Sequence, residues 1–232
     1  MDRNMILSIL AIAVFGFAGI LLLLPEEVDD GVARLPWQDS TDAQGRSQVF
    51  GFTLGETTLA EVRKVFGEDG KINLFTHPGT DGGYAVEAFF DQIYLSRLRA
   101  DFVIALEVDQ DTLEAMYQRG LRISQLGSGA KKVQLTPEDI AVLVQAPIRG
   151  ITYLPWKSLD ADIIARRFGE PARKLTEESG LAHWLYPEKG MDIGRDSAGG
   201  VVIQYVDPRD FADLVRPLQS DQGSLSDPHL HR

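Results

Sequence analysis

The sequence predicts an α+β protein, with an N-terminal transmembrane helix followed by two related helix-plus-antiparallel-sheet units. Three observations carry this reading. The run Ile6–Leu24 holds no charged side chain, and its only polar one is Ser8. Further along, short helix signals alternate with aromatic and β-branched runs, an order that fits α+β better than a doubly wound sheet. Finally, two segments set 102 residues apart superpose Val62 on Ile164, Phe66 on Phe168, Gly67 on Gly169 and Glu68 on Glu170.

The apolar run comes first. At about 1.5 Å per residue it spans roughly 28 Å, close to the hydrocarbon thickness of a bilayer. It is apolar on every face, unlike a helix half-buried on a soluble core. It runs straight into Pro25-Glu26-Glu27 without a small-residue cleavage pattern, so an uncleaved anchor over residues 1–24 is expected rather than a signal peptide. Arg3 precedes the span, and Glu26, Glu27, Asp29 and Asp30 follow it. Cationic flanks stay cytoplasmic. The expectation is therefore a single-pass inner-membrane protein with its N-terminus inside and its main domain in the periplasm.

Residues 25–48 mix Pro, Asp, Gln, Ser and Gly without a period and read as a linker. The first unit is assigned to 49–147, the second to 148–219, and a frayed tail to 220–232. Within the first unit, Thr58-Leu-Ala-Glu61 is a capping-box pattern and Gly67 is the stop. Asp111-Thr-Leu-Glu114 resembles the same box, closed by Gly120. Thr136-Pro137-Glu138-Asp139 and Asp207-Pro208-Arg209-Asp210 each place a cap, a proline and acids at a helix start.

Strands are predicted over Tyr84–Leu95, Leu98–Val108, Leu121–Leu126, Lys131–Leu135, Leu181–Tyr186 and Val201–Val206. Gly127-Ser-Gly129 reads as a hairpin turn. The offset of 102 also pairs Tyr84 with Tyr186, each inside a predicted strand.

A helix ending in Gly or Gly-x-Pro and followed by aromatic strands resembles the SmpA/OmlA (BamE-like) group, whose fold type is shared with the β-lactamase inhibitor protein. Gly55-Glu-Thr57 resembles the family's helix entry, with Val62 inside and Gly67 as the stop. Phe168-Gly169-Glu170-Pro171 resembles the exit. The first copy is one residue long between Gly55 and Val62 and lacks the proline after Gly67. The second has Lys157 at the entry glycine, and the family's lipoprotein cysteine is absent. The resemblance implies a small envelope protein that works by binding other proteins, and it transfers no catalytic residue.

Composition narrows the chemistry. With Cys 0, the thiol, disulfide, zinc-ribbon and iron–sulfur readings fall away. A formal net charge of −11 argues against nucleic acid as a partner. His77 lies in a turn pattern, His183 in a strand, and His229 and His231 in the tail. None forms a zinc motif, and no P-loop, nucleophile elbow or dinucleotide fingerprint is present, so no metal or cofactor is expected. Asp109-Gln-Asp111 lacks the glycine and glutamate of a calcium loop.

The expected function is protein binding by an exposed sheet face, with Tyr84, Trp184 and Tyr186 as contact residues. Tyr and Trp are enriched where interfaces concentrate their energy. The partners are then the membrane, through the anchor, and another envelope protein. Two other classes stay open: a membrane-tethered hydrolase using paired carboxylates, and a sensor binding a small molecule or lipid in an apolar pocket.

The anchor is testable. Full-length protein should stay with the membrane pellet under alkaline carbonate, and a chain lacking residues 1–24 should be released. Release of the full chain would overturn the anchor.

Overall fold

A computed structural model describes residues 33–76 and 83–223, with side chains to Leu218. The run Ile6–Leu24, the turn at His77, and His229 and His231 lie outside the described residues. Among the described residues, no helix is long and apolar enough to cross a membrane.

Among the described residues a small three-stranded sheet comes first: β1 (Ser40–Thr41), β2 (Ser47–Val49) and β3 (Phe52–Thr53). Then come α1 (Leu59–Phe66), β4 (Lys71–Thr76), β5 (Tyr84–Leu95) and β6 (Leu98–Leu106). After α2 (Gln110–Gln118), the strands β7 (Arg122–Gln125) and β8 (Lys131–Gln134) form a hairpin. Next are α3 (Pro137–Leu143), β9 (Ile148–Pro155) and α4 (Ala161–Phe168). A meander of β10 (Arg173–Thr176), β11 (Ala182–Tyr186), β12 (Met191–Arg195) and β13 (Val201–Val206) follows, and α5 (Phe211–Gly223) ends the described chain. The α+β class holds: helices pack on one ten-stranded antiparallel sheet, ordered β10-β11-β12-β13-β9-β6-β5-β4-β8-β7.

The local signals explain α1 and its echo. Thr58 Oγ1 accepts from the Glu61 amide, and the Glu61 carboxylate accepts from the Thr58 amide at 2.7 Å, which closes the capping box. Gly67, at φ +69°, takes the left-handed turn that ends the helix. Leu59, Val62 and Phe66 form the buried stripe. The second helix, α4, begins and ends 102 residues later, buries Ile164 and Phe168, and stops at Gly169. The strands that follow, β4 and β10, also start 102 residues apart. Beyond them the two segments lose step. Tyr84 opens β5, whereas Tyr186 closes β11, so the offset does not set the two tyrosines at equivalent places.

The sheet carries two different faces. Val86, Ala88 and Phe90 of β5, Phe102 and Ile104 of β6, Ile151 and Tyr153 of β9 and Ile203 and Tyr205 of β13 point the same way. They form one core with the buried residues of α1 to α4. On the opposite face, Phe211 and Val215 of α5 pack on Leu175 of β10 and Leu185 of β11. One continuous sheet thus joins what the sequence divides at residue 147.

Three boundaries are corrected. Residues 33–48 are packed on the domain, not free linker. Pro36 offers its carbonyl to the Tyr205 hydroxyl at 2.6 Å, Trp37 sits edge-on to Phe168, and Lys189 binds Asp39 at 3.1 Å. Strands of two and three residues and a few isolated contacts hold this strap, and elements this short leave no period to read. The cap of α2 is Asp109, which accepts from the Thr112 amide at 2.8 Å, so the helix starts earlier than Asp111 suggests. At the other end, α5 runs to Gly223, past the predicted tail start at 220.

Gly190 tests the backbone logic. It sits at φ +61°, and a methyl there would press into the Val206 carbonyl oxygen. Gly67, at φ +69° and ψ 15°, is left-handed helical and faces open space. Gly190→Ala should cost more than about 2 kcal/mol, and Gly67→Ala only about 1, by urea denaturation. Equal costs would refute the assigned packing.

Candidate binding surface

The strand period fixes what the sheet leaves uncovered. Residues that alternate with the core positions form a second face, and α5 packs over only one end of it. Toward the other end, register aligns Lys71, Phe89, Val103, Thr152 and Gln204 in one row across five strands. Phe89 is 36% exposed, and Val103, Thr152 and Gln204 are half-buried. Half-buried Phe75 and Leu154 lie on the same face. No described element covers this area. A sheet face that carries phenylalanine and aliphatic residues without a covering layer is a surface suited to another protein.

The alternation in Tyr84–Asp91 predicts such a face, but the proposed contact residues are on the wrong side. Trp184 is 8% exposed and Tyr186 is 5% exposed, both within the helix-covered core. Tyr186 donates its hydroxyl to the Gly169 carbonyl at 2.9 Å, and burial pushes the phenol up to about 12. Lys174 lies over the Trp184 ring at 3.8 Å. Tyr84 points the same way, and its ring lies tilted against Tyr117 of α2 with centroids 5.3 Å apart. Its strand is separated from β11 by β6, β9, β13 and β12. The three aromatics therefore form no common exposed patch. In β11 nearly every residue is buried, because α5 covers the face that alternation would leave wet.

A cleft of about 760 Å³ adjoins the open face at one end of the strands. Ala85 and Ala105 line it and also belong to the open face, so the two are continuous. Both halves of the chain contribute: Glu107, Asp109 and Gln110 from the first, Arg149, Asp207 and Arg209 from the second. The side chain of Gln110 pairs with the Tyr84 backbone, accepting from its amide at 2.9 Å and donating to its carbonyl at 3.0 Å. Arg209 grips Asp207 through Nε and Nη2 at 2.7 and 2.8 Å. That bond holds the Asp207 carboxyl below its usual range, as the Thr112 amide does for Asp109. Both shifts favour the ionised form, which is opposite to what a general acid needs.

The carboxyl pushed the other way is Asp192, raised mainly by burial. It faces His183, whose Nδ1 lies 2.7 Å from Asp192 Oδ2 and whose Nε2 lies 3.1 Å from Glu177 Oε1. Both ring nitrogens are thus occupied by carboxylates, so the imidazole bridges two acids and has no free nitrogen for a nucleophile. The sequence places His183 in a strand as a half-buried residue; the structure buries it at 6% exposure and supplies these two partners. The alternating residues His183 and Leu185 mark this face, yet the Asp192 pairing depends on strand register and leaves no local signal. Among the described residues, no cluster of three or more His, Asp or Glu is arranged to hold a metal ion.

The two sheet edges differ as well. The edge at β10 presents Arg173 and Lys174, which discourage strand pairing. The edge strand β7 carries exposed Ile123 and is flanked by exposed Leu121 and Leu126.

No family model, no curated protein and no solved structure matches this chain.

The buried His183–Asp192 pair makes a testable case. His183→Ala should destabilise the protein on the order of 3 kcal/mol, because it strands a buried carboxyl. A His183→Leu/Asp192→Leu double variant should cost less than that single change. A double variant costing the sum of the separate His183→Leu and Asp192→Leu changes would show that the pair does not act as a unit.

Proposed function

We propose that this chain is a membrane-anchored, extracytoplasmic adaptor that binds another envelope protein through its open sheet face. The observation that carries the reading is that face: a continuous row from Lys71 through Phe89 and Val103 to Gln204, apolar in the middle and uncovered. The cleft beside it supplies paired Arg and Asp side chains for polar specificity. The apolar run Ile6–Leu24 supports the tether, which would raise the effective concentration of the domain at a membrane-bound partner. The equal length of α1 and α4, and the equal spacing from each to the start of β4 and β10, support the reading of two related units and of a likeness to the SmpA/OmlA group.

A second reading has one specific observation behind it. The cleft volume of about 760 Å³ lies within the usual size of small-molecule sites, so a ligand-sensing role draws support from it.

Photo-crosslinking tests the adaptor reading. A photoreactive residue replacing Phe89 or Val103 in the full-length chain, in membranes of its own cell, should give one discrete protein adduct. The same residue at Glu138, exposed on α3, should give none. Absence of an adduct at 89 and 103, or an identical adduct at all three positions, would refute the sheet-face assignment.

A further inference from the structure

The end of the sheet opposite the cleft carries a second surface of different character. There β5 turns into β6, and β9 ends at Pro155. Tyr94 is 57% exposed and Trp156 is 51% exposed, high values for residues this large. The Arg99 guanidinium lies between them, 3.4 Å above the Trp156 ring and 5.6 Å from that of Tyr94. The Trp156 indole donates to Asp101 at 3.0 Å, which fixes the ring's orientation. Exposed Arg97 and Lys157 flank the stack.

The backbone is shaped around this corner. A bulge between Phe90 and Ile93 sets Gln92 at φ +58°, and the Gln92 amide donates to the same Asp101 at 2.8 Å. Past the bulge, Ile93 and Leu95 point into the core while Tyr94 points out. Bulges commonly re-aim a side chain in this way. The β5–β6 turn places both Ser96 and Arg97 in the left-handed region, at φ +46° and +67°, where a two-residue hairpin turn normally has Asn-Gly. Side-chain-bearing residues are disfavoured there, because Cβ crowds the backbone carbonyl. Arg97 thus stands at the tip of a turn that glycine would form more easily.

The described chain also enters the fold at this turn. The Arg34 amide donates to Ser96 Oγ at 2.9 Å. Nine residues lie between Leu24, the end of the apolar run, and Arg34, so ten Cα–Cα steps give a tether of at most about 33–36 Å.

We propose that the Tyr94–Arg99–Trp156 corner, with Arg97 and Lys157, lies in the headgroup region of the membrane that holds the anchor. The chemistry is that of interfacial belts: amphipathic Trp and Tyr rings at headgroup depth, and Arg and Lys reaching lipid phosphates. The assignment depends on the anchor, and it adds a depth and an orientation for the domain that the anchor alone does not give.

The three tryptophans, Trp37, Trp156 and Trp184, all lie in the folded domain, so tryptophan emission reports on it alone. The full-length chain is mixed into phosphatidylcholine vesicles whose lipids carry bromine high on the acyl chain. Flotation reports anchoring, and bromine quenching reports contact. The expected result is flotation with quenching that falls at least twofold in Trp156→Phe, while Trp184, buried, contributes little. Flotation with quenching equal in wild type and variant would overturn this inference and leave the anchor standing. Failure to float would overturn both. Iodide protection of Trp156 in native membranes but not in protein-free vesicles would assign the corner to a protein and overturn the lipid assignment.

Discussion

The seam between the two halves of the sheet depends on one side chain held in a costly backbone conformation. Phe50 sits in the β2–β3 turn at φ +55°, followed by Gly51 at +76°. A non-glycine residue there costs on the order of 1–2 kcal/mol. The return is the position of its ring, 1% exposed, against Phe102 of β6 at 5.3 Å, Tyr153 of β9 at 5.3 Å and Tyr205 of β13 at 5.7 Å. These three strands adjoin where the meander of the first half meets that of the second. Full burial of one aromatic ring is worth about 2–3 kcal/mol, more than the backbone cost. Phe66 extends the cluster from α1, contacting Phe90 at 5.0 Å and Phe102 at 4.8 Å. The first helix, the small N-terminal sheet and both meanders are therefore fastened at one aromatic knot.

This knot also separates what was legible in the sequence from what was not. The helix start at Thr58, the stop at Gly67, the hairpin at Gly127–Gly129 and the strands Tyr84–Leu95 and Val201–Val206 are all encoded locally, in caps, turns and alternation, and the sequence reading finds them. Strands β4, β9, β10 and β12 were missed. Lys71–Thr76 and Arg173–Thr176 are short and mixed in polarity, and Met191–Arg195 holds a buried Asp and a glycine. Their strand character comes from neighbours in register, not from their own pattern. The same limit explains the misplaced aromatics. Trp184 and Tyr186 are expected as contacts because Tyr and Trp are enriched at interfaces, a preference of residue type that carries no information on which face is covered. In the fold α5 packs on Leu185, and His183 is closed in by Asp192 and Glu177, so both sides of β11 are buried.

The open face follows from where the chain goes after each meander. After β13, the polypeptide turns through Pro208–Asp210 into α5, which folds back over Leu175 and Leu185. After β6, it turns the other way: Leu113 and Met116 of α2 join the core already covered by α1, and the β7–β8 hairpin then widens the sheet at its edge. Nothing described returns over Phe75, Phe89 and Val103. Their half-burial is what adjacent side chains on a pleated surface provide without a second layer. The asymmetry is thus a consequence of topology, and it leaves an apolar patch where a second layer would otherwise sit.

The strand direction relates this patch to the two ends of the sheet. β6 begins beside Arg99 and the Trp156 stack and ends at Leu106, next to the cleft residues Glu107 and Asp109. Its nine residues span roughly 30 Å at about 3.3 Å each. A domain resting on lipid at the Trp156 end, as proposed, would hold the Arg149–Asp210 and Arg209–Asp207 pairs about that far from the headgroups. Screening by salt shortens electrostatic reach to about 8–10 Å, so lipid charge would not compete with a partner for those pairs. The open face, running along the strands between the two ends, would then stand upright beside the membrane. In that proposed orientation it would be accessible to a partner approaching laterally, as the proposed adaptor role requires.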